Sequence, residues 1–254
     1  MGFFWIVKLL KKLSKDCSVS MAQVSVDGMP EYHNITRALA NGKPTFDTII
    51  NNIEVAKEFL KIVVRVNVNN NNMQNIEKLK ELFISKKDWT NNPLVYFARI
   101  RDYNTCSYEK SCFIREDDFS DFEFQITKDS YCRDGDINRV YPNKRNVFCS
   151  AQCTNNYVVD PDGNCYTCWN DVGIVHKSIG NVRFGLNSND NYLKWILYQE
   201  SPRCKKCKFL PICLGGCPHE YLESNEPECL SWVLNYKNNL MLAYEDHMEA
   251  KKAL

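Results

Sequence analysis

Nine of the 13 cysteines lie in the last 106 residues, from Cys149 onward, at spacings regular enough to hold a metal. Cys149-x3-Cys153 is followed by nine residues, Gly163, four more residues and Cys168. After a gap of 35 residues come Cys204-x2-Cys207-x5-Cys213-x3-Cys217 and finally Cys229. Thiolate is a soft donor, and four thiolates in a tetrahedral set suit zinc or an iron–sulfur cluster. A close pair such as Cys204/Cys207 can grip one centre from a tight turn whose backbone N–H groups face the sulfurs and offset their repulsion. Gly215-Gly216 lets the chain approach closely between Cys213 and Cys217 with no β-carbon in the way. Eight well-placed cysteines exceed the needs of one zinc ribbon. A four-thiolate zinc site and a disulfide framework are the two other chemistries open to them.

Such ligands need elements that return the chain to one place. Val158 to Cys168 reads as a hairpin with Pro161-Asp162-Gly163 as its turn, which fixes where Cys168 lies relative to Cys153. Side chains alternate along the return strand, so Cys165 and Cys168 point to opposite faces and only Cys168 is taken as a ligand. Cys106, Cys112 and Cys132 stand at no ligand-like spacing and read as core or loop thiols. His176, His219 and His247 have no evident partner, and His33 reads as a loop-capping residue rather than a base.

Upstream, strand-like and helix-like segments alternate. Phe3 to Lys15 carries apolar residues at helical spacing between lysines, an amphipathic helix with one face on a core rather than on a membrane surface. Its apolar run ends at Lys8 and is too short for a secretory signal. Met21–Val26, Ile62–Val68 and Leu94–Ile100 read as strands. Phe46–Lys61, with Thr45 as N-cap, and the stretch from Ile76 to Phe83 read as helices, and Asn69 to Asn72 as a loop. Strand, helix, strand, helix, strand implies right-handed parallel crossovers. Three such units do not close a barrel, which takes about 250 residues by itself. The fold class is therefore α/β, a partial barrel of about three β/α units followed by a small cysteine-rich domain. The expected division is 1–101 for the partial barrel, 102–148 for a polar, irregular connecting segment, 149–235 for the cysteine domain and 236–254 for a terminal helix.

The 32 basic and 31 acidic side chains leave a formal charge of +1, which excludes a nucleic-acid binder working by bulk positive charge. No apolar run approaches the ~18–20 residues of a spanning helix. The odd cysteine count and the absence of a signal point to a reducing cytoplasm, where clustered cysteines hold metal.

The pattern over Cys153, Gly163, Cys168, Cys204, Cys207, Cys213, Cys217 and Cys229 resembles the SPASM domain of radical S-adenosylmethionine enzymes, and so does the wording Asp160-Pro-Asp-Gly-Asn-Cys-Tyr-Thr-Cys168 and Leu210-Pro-Ile-Cys-Leu-Gly-Gly-Cys-Pro218. The resemblance implies two auxiliary [4Fe–4S] clusters. It assigns Cys149, Cys153, Cys168 and Cys217 to one, and Cys204, Cys207, Cys213 and Cys229 to the other. Val24-Ser-Val-Asp-Gly28 with His33 and Arg37 resembles the fourth barrel strand and its loop in the same superfamily. By that resemblance Ser25 and Arg37 contact S-adenosylmethionine, a hydroxyl to hydrogen-bond it and a guanidinium fork for its carboxylate.

The sequence departs from the family in one respect that bears on chemistry. Radical chemistry in these enzymes uses a Cys-x3-Cys-x2-Cys loop, but Cys149-x3-Cys153 meets Asn156 and Cys213-x3-Cys217 meets Glu220. The expectation is an N-terminally truncated peptide maturase that uses S-adenosylmethionine only if the missing barrel half is supplied, acting on a ribosomal peptide or protein. Sulfatase-maturating relatives carry an acid directly after the cysteine equivalent to Cys168. Trp169 stands there, with Asp171 two further on, which disfavours that substrate class. The alternatives are a non-catalytic iron–sulfur module for electron transfer or peptide binding, and the remnant of a disrupted gene.

Overall fold

A computed structural model of the chain describes residues 2–86, 89, 94–101, 112–134 and 146–252. The chain divides into two compact units, Met1–Arg115 and Glu116–Leu254.

The first unit is a three-stranded parallel sheet in the order β1 (Met21–Ser25), β2 (Lys61–Val68), β3 (Leu94–Arg99). Val24 lies opposite Val64, and Val66 opposite Phe97. Helices α1 (Gly2–Lys15), α2 (Pro30–Thr36), α3 (Phe46–Ala56) and α4 (Ile76–Ser85) precede, join or follow the first two strands. β2 has period two. Ile62, Val64, Val66 and Val68 are fully buried, while Val63, Arg65 and Asn67 are half-exposed. Each buried branched side chain contributes about 1.5–3 kcal/mol, and together with Phe46, Ile50 and Ile53 of α3 and Ile76, Leu79 and Phe83 of α4 they form this unit's core. The opposite face of the sheet is mixed, with Gln23, Ser25, Arg65, Asn67 and Tyr96 beside Val63, Leu94 and Ala98, and the Tyr96 hydroxyl lies 3.0 Å from Gln23 Oε1.

One local expectation is corrected in this unit. Thr45 occupies the N-cap position of α3 but does not cap it. Its hydroxyl instead donates to the Arg37 carbonyl at 2.6 Å, and Asn34 Oδ1 accepts from the Thr45 and Phe46 N–H groups at 2.9 and 3.0 Å. The asparagine run is the expected loop, and within it Asn69 and Asn72 are fully buried. Asn72 Nδ2 donates to the carbonyls of Asp27 (2.6 Å) and Asn67 (2.8 Å). Cys112 is a buried thiol 3.2 Å from Asn71 Nδ2, and Cys106 lies outside the described residues.

The second unit begins with α5 (Glu116–Asp134), a 19-residue helix inside the segment expected to be irregular. Glu116, Asp117 and Asp118 suit the positive end of a helix. The helix joins its neighbours partly through polar bonds, which hides it from a search for an apolar stripe. Ser120 Oγ donates to the Ser231 carbonyl (2.8 Å) and accepts from Asn235 Nδ2 (2.5 Å). A four-stranded antiparallel sheet follows: β4 (Val158–Val159), β5 (Asn164–Tyr166), β6 (Gly180–Asn181) and β7 (Gly185–Leu186). The first two strands are the expected hairpin, Val158 opposite Tyr166. Asp160 closes its turn by accepting from the Asp162 and Asn164 N–H groups at 2.9 and 2.8 Å. Short helices then carry the cysteines: α6 (Asp190–Ile196), α7 (Pro202–Lys205), α8 (Leu210–Cys213), α9 (Pro218–Ser224) and α10 (Ser231–Leu234), before the expected terminal helix α11 (Tyr236–Lys252). Among the described residues no helix is long and apolar enough to cross a membrane.

Candidate metal centres

All eight candidate cysteines lie in the second unit, and none of them is in a disulfide. Cys149 precedes a short 3₁₀ turn, and its N–H donates to Gln152 Oε1 at 3.3 Å. Cys168 is buried with Ala151 and Trp195, and Cys149 and Leu222 pack against them. Burial pushes the Cys168 thiol up to about 12, and the nearby charges of Asp171, Cys149 and Cys217 add to the effect against one backbone hydrogen bond from Asn170. Cys217 stands at the N-cap of α9, with Pro218 opening the helix. A lone thiol so placed resists losing its proton, whereas a bound cation would take it. Cys165 sits on β5, buried, its thiol 3.8 Å from the Gly163 carbonyl.

Cys204, Cys213 and Cys229 share a second neighbourhood. Cys204 lies on α7, its N–H donating to the N-cap hydroxyl of Ser201 at 3.2 Å. Cys213 ends α8, and Leu214, Gly215 and Gly216 then take φ of 55°, 83° and 77°, three left-handed residues in succession. Burial raises the Cys213 thiol. The Gly215 and Gly216 N–H groups pull it down by hydrogen-bonding it, and the charges of Cys204 and Cys229 push it up. Arg203 Nη2 lies 3.5 Å from Cys229 Sγ. At Gly216 an added β-carbon would lie 2.5 Å from the Glu228 carbonyl oxygen, so the chain passes there only as glycine.

Cys168 thus neighbours Cys149 and Cys217, and Cys213 neighbours Cys204 and Cys229. Tyr198 stands near members of both groups. Its hydroxyl is buried without a hydrogen-bond partner among the described residues. Burial, then the charges of Glu200, Cys204, Tyr221 and Cys217, push its phenol up to about 12. The donor set is soft and thiol-rich, and a buried O–H without an acceptor lies beside it. Both features fit iron–sulfur clusters.

His219, expected to be without a partner, is buried, and its Nε2 lies 3.7 Å from Asp171 Oδ1. Burial raises the Asp171 carboxyl, but His219 and Lys177 more than offset this and hold it below the ordinary carboxylate range. Asp171, His219 and Glu223 bring three ligand atoms within 4.8 Å of one another. Lys177 Nζ, at 3.0 Å from Asp171 and 2.7 Å from Glu223, already supplies the cation there. The charge alternation 171–177–219–223 is too widely spaced in sequence to announce this cluster.

In the first unit, Ser25 is half-buried opposite Arg65, and Arg37 caps α2. Arg37 Nε lies 2.5 Å from Asp27 Oδ2, and Asp27 Oδ1 accepts from Asn67 Nδ2 at 2.9 Å. His33 is buried. Its Nδ1 accepts from the Asp27 N–H at 3.2 Å and its Nε2 lies 3.2 Å from the Thr45 hydroxyl. Burial lowers its pKa, Asp27 pulling up and Arg37 down.

The cysteine-type anaerobic sulfatase-maturating enzyme of Clostridium novyi (strain NT) is 25% identical to this chain over 76% of the chain and 56% of that enzyme. One from Clostridium perfringens is 26% identical over 84% of the chain and 61% of that enzyme. The chain is thus similar in sequence to anaerobic sulfatase-maturating enzymes. These are radical S-adenosylmethionine proteins of the SPASM type. No family model matches the chain. Native anSMEcpe with bound AdoMet and Kp18Cys peptide superposes with a TM-score of 0.67 at 21% identity, over 98% of this chain and 73% of that one. Native anSMEcpe with bound AdoMet gives 0.66 at 20% identity. The chain therefore has the expected fold, a partial α/β barrel followed by a small cysteine-rich domain. It spans 56% to 65% of the length of the curated relatives it matches.

Proposed function

We propose that this chain is the auxiliary iron–sulfur part of a radical S-adenosylmethionine maturase acting on a peptide or protein. The observation that carries the reading is the separation of the cysteines into two neighbourhoods, Cys168 with Cys149 and Cys217, and Cys213 with Cys204 and Cys229. Cys149, Cys153, Cys168 and Cys217 hold one [4Fe–4S] cluster, and Cys204, Cys207, Cys213 and Cys229 the other. Such clusters supply one-electron chemistry or a coordination position for a bound peptide. The protein's part is to position and insulate. Trp195 and Ala151 keep water from Cys168, the Gly215 and Gly216 N–H groups stabilise the Cys213 thiolate, and Arg203 places a positive charge at Cys229.

In the first unit, Ser25 and Arg37 contribute to a site for S-adenosylmethionine. Arg37 is held to Asp27 through Nε, which leaves the outer guanidinium nitrogens for a carboxylate. These 254 residues contain no Cys-x3-Cys-x2-Cys spacing, so the cluster that cleaves S-adenosylmethionine takes its ligands from residues outside them. The same observation favours a second reading, a non-catalytic module that binds a peptide or carries electrons. Tight peptide binding with no 5′-deoxyadenosine formed, even with the complementary barrel residues supplied, selects the second reading.

The deciding measurement is iron, acid-labile sulfide and zinc per chain after anaerobic reconstitution. About eight irons and eight sulfides are expected. One or two zinc ions without sulfide overturns the reading. Cys213→Ala is expected to lose about four irons and keep the rest, each cluster being built from its own ligands. Loss of both clusters together would break the division of ligands.

A further inference from the structure

Tyr198 lies just beyond α6, its N–H 3.4 Å from the Trp195 carbonyl. Its ring meets that of Tyr221 on α9 edge-on, centroids 6.1 Å apart at 84°. The ring is thereby held against the helix that Cys217 begins. The hydroxyl oxygen is 3.8 Å from where a β-carbon on Gly215 would stand. The Gly215 carbonyl is in turn 4.0 Å from Cys204 Sγ. The hydroxyl is buried and has no hydrogen-bond partner among the described residues. A buried O–H that gives up water and gains nothing is destabilising, and native proteins rarely keep one without an acceptor. Across Gly215 from this one stands the Cys204 sulfur.

We propose that the Tyr198 hydroxyl donates a hydrogen bond to a sulfur of the cluster held by Cys204, Cys207, Cys213 and Cys229, and that this bond raises that cluster's reduction potential. The inference rests on the two-cluster reading given above. Adding an electron to a [4Fe–4S] cluster makes its sulfurs more negative, and a donor aimed at them favours the reduced form over the oxidised one. The assignment to this cluster follows from Gly215, which lies beside the Tyr198 hydroxyl and whose carbonyl is 4.0 Å from Cys204 Sγ. The cluster holding Cys217 then serves as an internal reference. Glu200, which also borders Gly215, is the competing acceptor, reached only if its side chain turns.

The test is a potentiometric titration of the reconstituted full chain and of Tyr198→Phe, followed by the low-temperature electron paramagnetic resonance of each reduced cluster, with iron counted in every sample. The phenylalanine keeps the ring and its contact with Tyr221. Tyr198→Phe is expected to keep about eight irons and to shift one cluster toward the oxidised form about tenfold at fixed potential, the usual worth of a buried bond to a charged acceptor. In a Cys213→Ala background, which retains only the Cys217 cluster, the same change is expected to move nothing. Unchanged potentials at full iron content overturn the Tyr198 assignment and leave the two-cluster reading standing. A shift confined to the Cys217 cluster also overturns it, as does a shift reproduced by Glu200→Gln alone. An iron count near zero in the unsubstituted chain removes the two-cluster reading itself, and the inference with it.

Discussion

His33 is held as a neutral ring by two bonds of opposite sense. Nδ1 accepts from the Asp27 N–H, so that nitrogen carries no proton, and the Thr45 hydroxyl, which spends its own proton on the Arg37 carbonyl, accepts from Nε2. Protonating Nδ1 breaks the first bond and buries a charge. The folded pKa is therefore lowered, chiefly by burial. For a base lowered in the folded state, the contribution to stability is complete above the ordinary value of about 6.5 and is lost as pH falls from there through the folded value. Denaturant titrations of the first unit are expected to show stability falling below pH ~6.5, with the slope flattened in His33→Gln. An equal slope in both would remove His33 from the account. The sequence reads His33 as part of a loop between strand and helix, whereas it lies within helix α2. The bonding is not legible there either, because Asp27, His33 and Thr45 are joined only once α2 has turned the chain back.

At the scale of the element, turns fix where the cysteines fall. The Asp160 turn and the left-handed run Leu214–Gly216 bring chain ends together within a few residues, and both are legible as local sequence. Gly216 is the tightest point, with φ of 77° and the Glu228 carbonyl where a β-carbon would go. Gly216→Ala is expected to cost about 2 kcal/mol in the denaturant unfolding of the second unit, from strain and from displacement of the segment leading to Cys229. Iron should be lost first from the Cys204–Cys229 set, read as about four irons remaining. Full iron content with unchanged stability would show that the segment yields freely. Helix α5 is the contrary case. Its acids, phenylalanines and serine follow no clear apolar period, and Ser120 finds its use only against Ser231 and Asn235, more than a hundred residues away.

For the molecule as a whole, the two compact units have different sources of stability. The first buries branched side chains between a parallel sheet and its helices. The second has two- and three-residue strands and four-residue helices, too short to be stable by themselves. Metal binding to eight cysteines would contribute folding free energy directly. Anaerobic chelation of iron is therefore expected to strip hydrogen-exchange protection from residues 149–235 while the amides of β1, β2 and β3 stay protected. Equal loss in both units would mean that they unfold as one. The relatives matched over 56% to 65% of their length are sulfatase-maturating enzymes. Trp169, exposed directly after Cys168, is the residue to vary when substrates are compared.

Neighbours along the chain set the ligand spacings, the hairpin and the parallel α/β order, all of which are legible in the sequence. These follow from bond geometry, side-chain alternation and turn chemistry, which act over a few residues. Only the tertiary structure decided which distant groups meet. Asp27 holds Asn67 and Arg37 in one network, Asp171 finds Lys177 and His219, and the Tyr198 hydroxyl comes to rest beside Gly215 and the Tyr221 ring. Those contacts join residues six to about fifty positions apart. Their strength comes from shared burial, which exists only once the chain has closed around them.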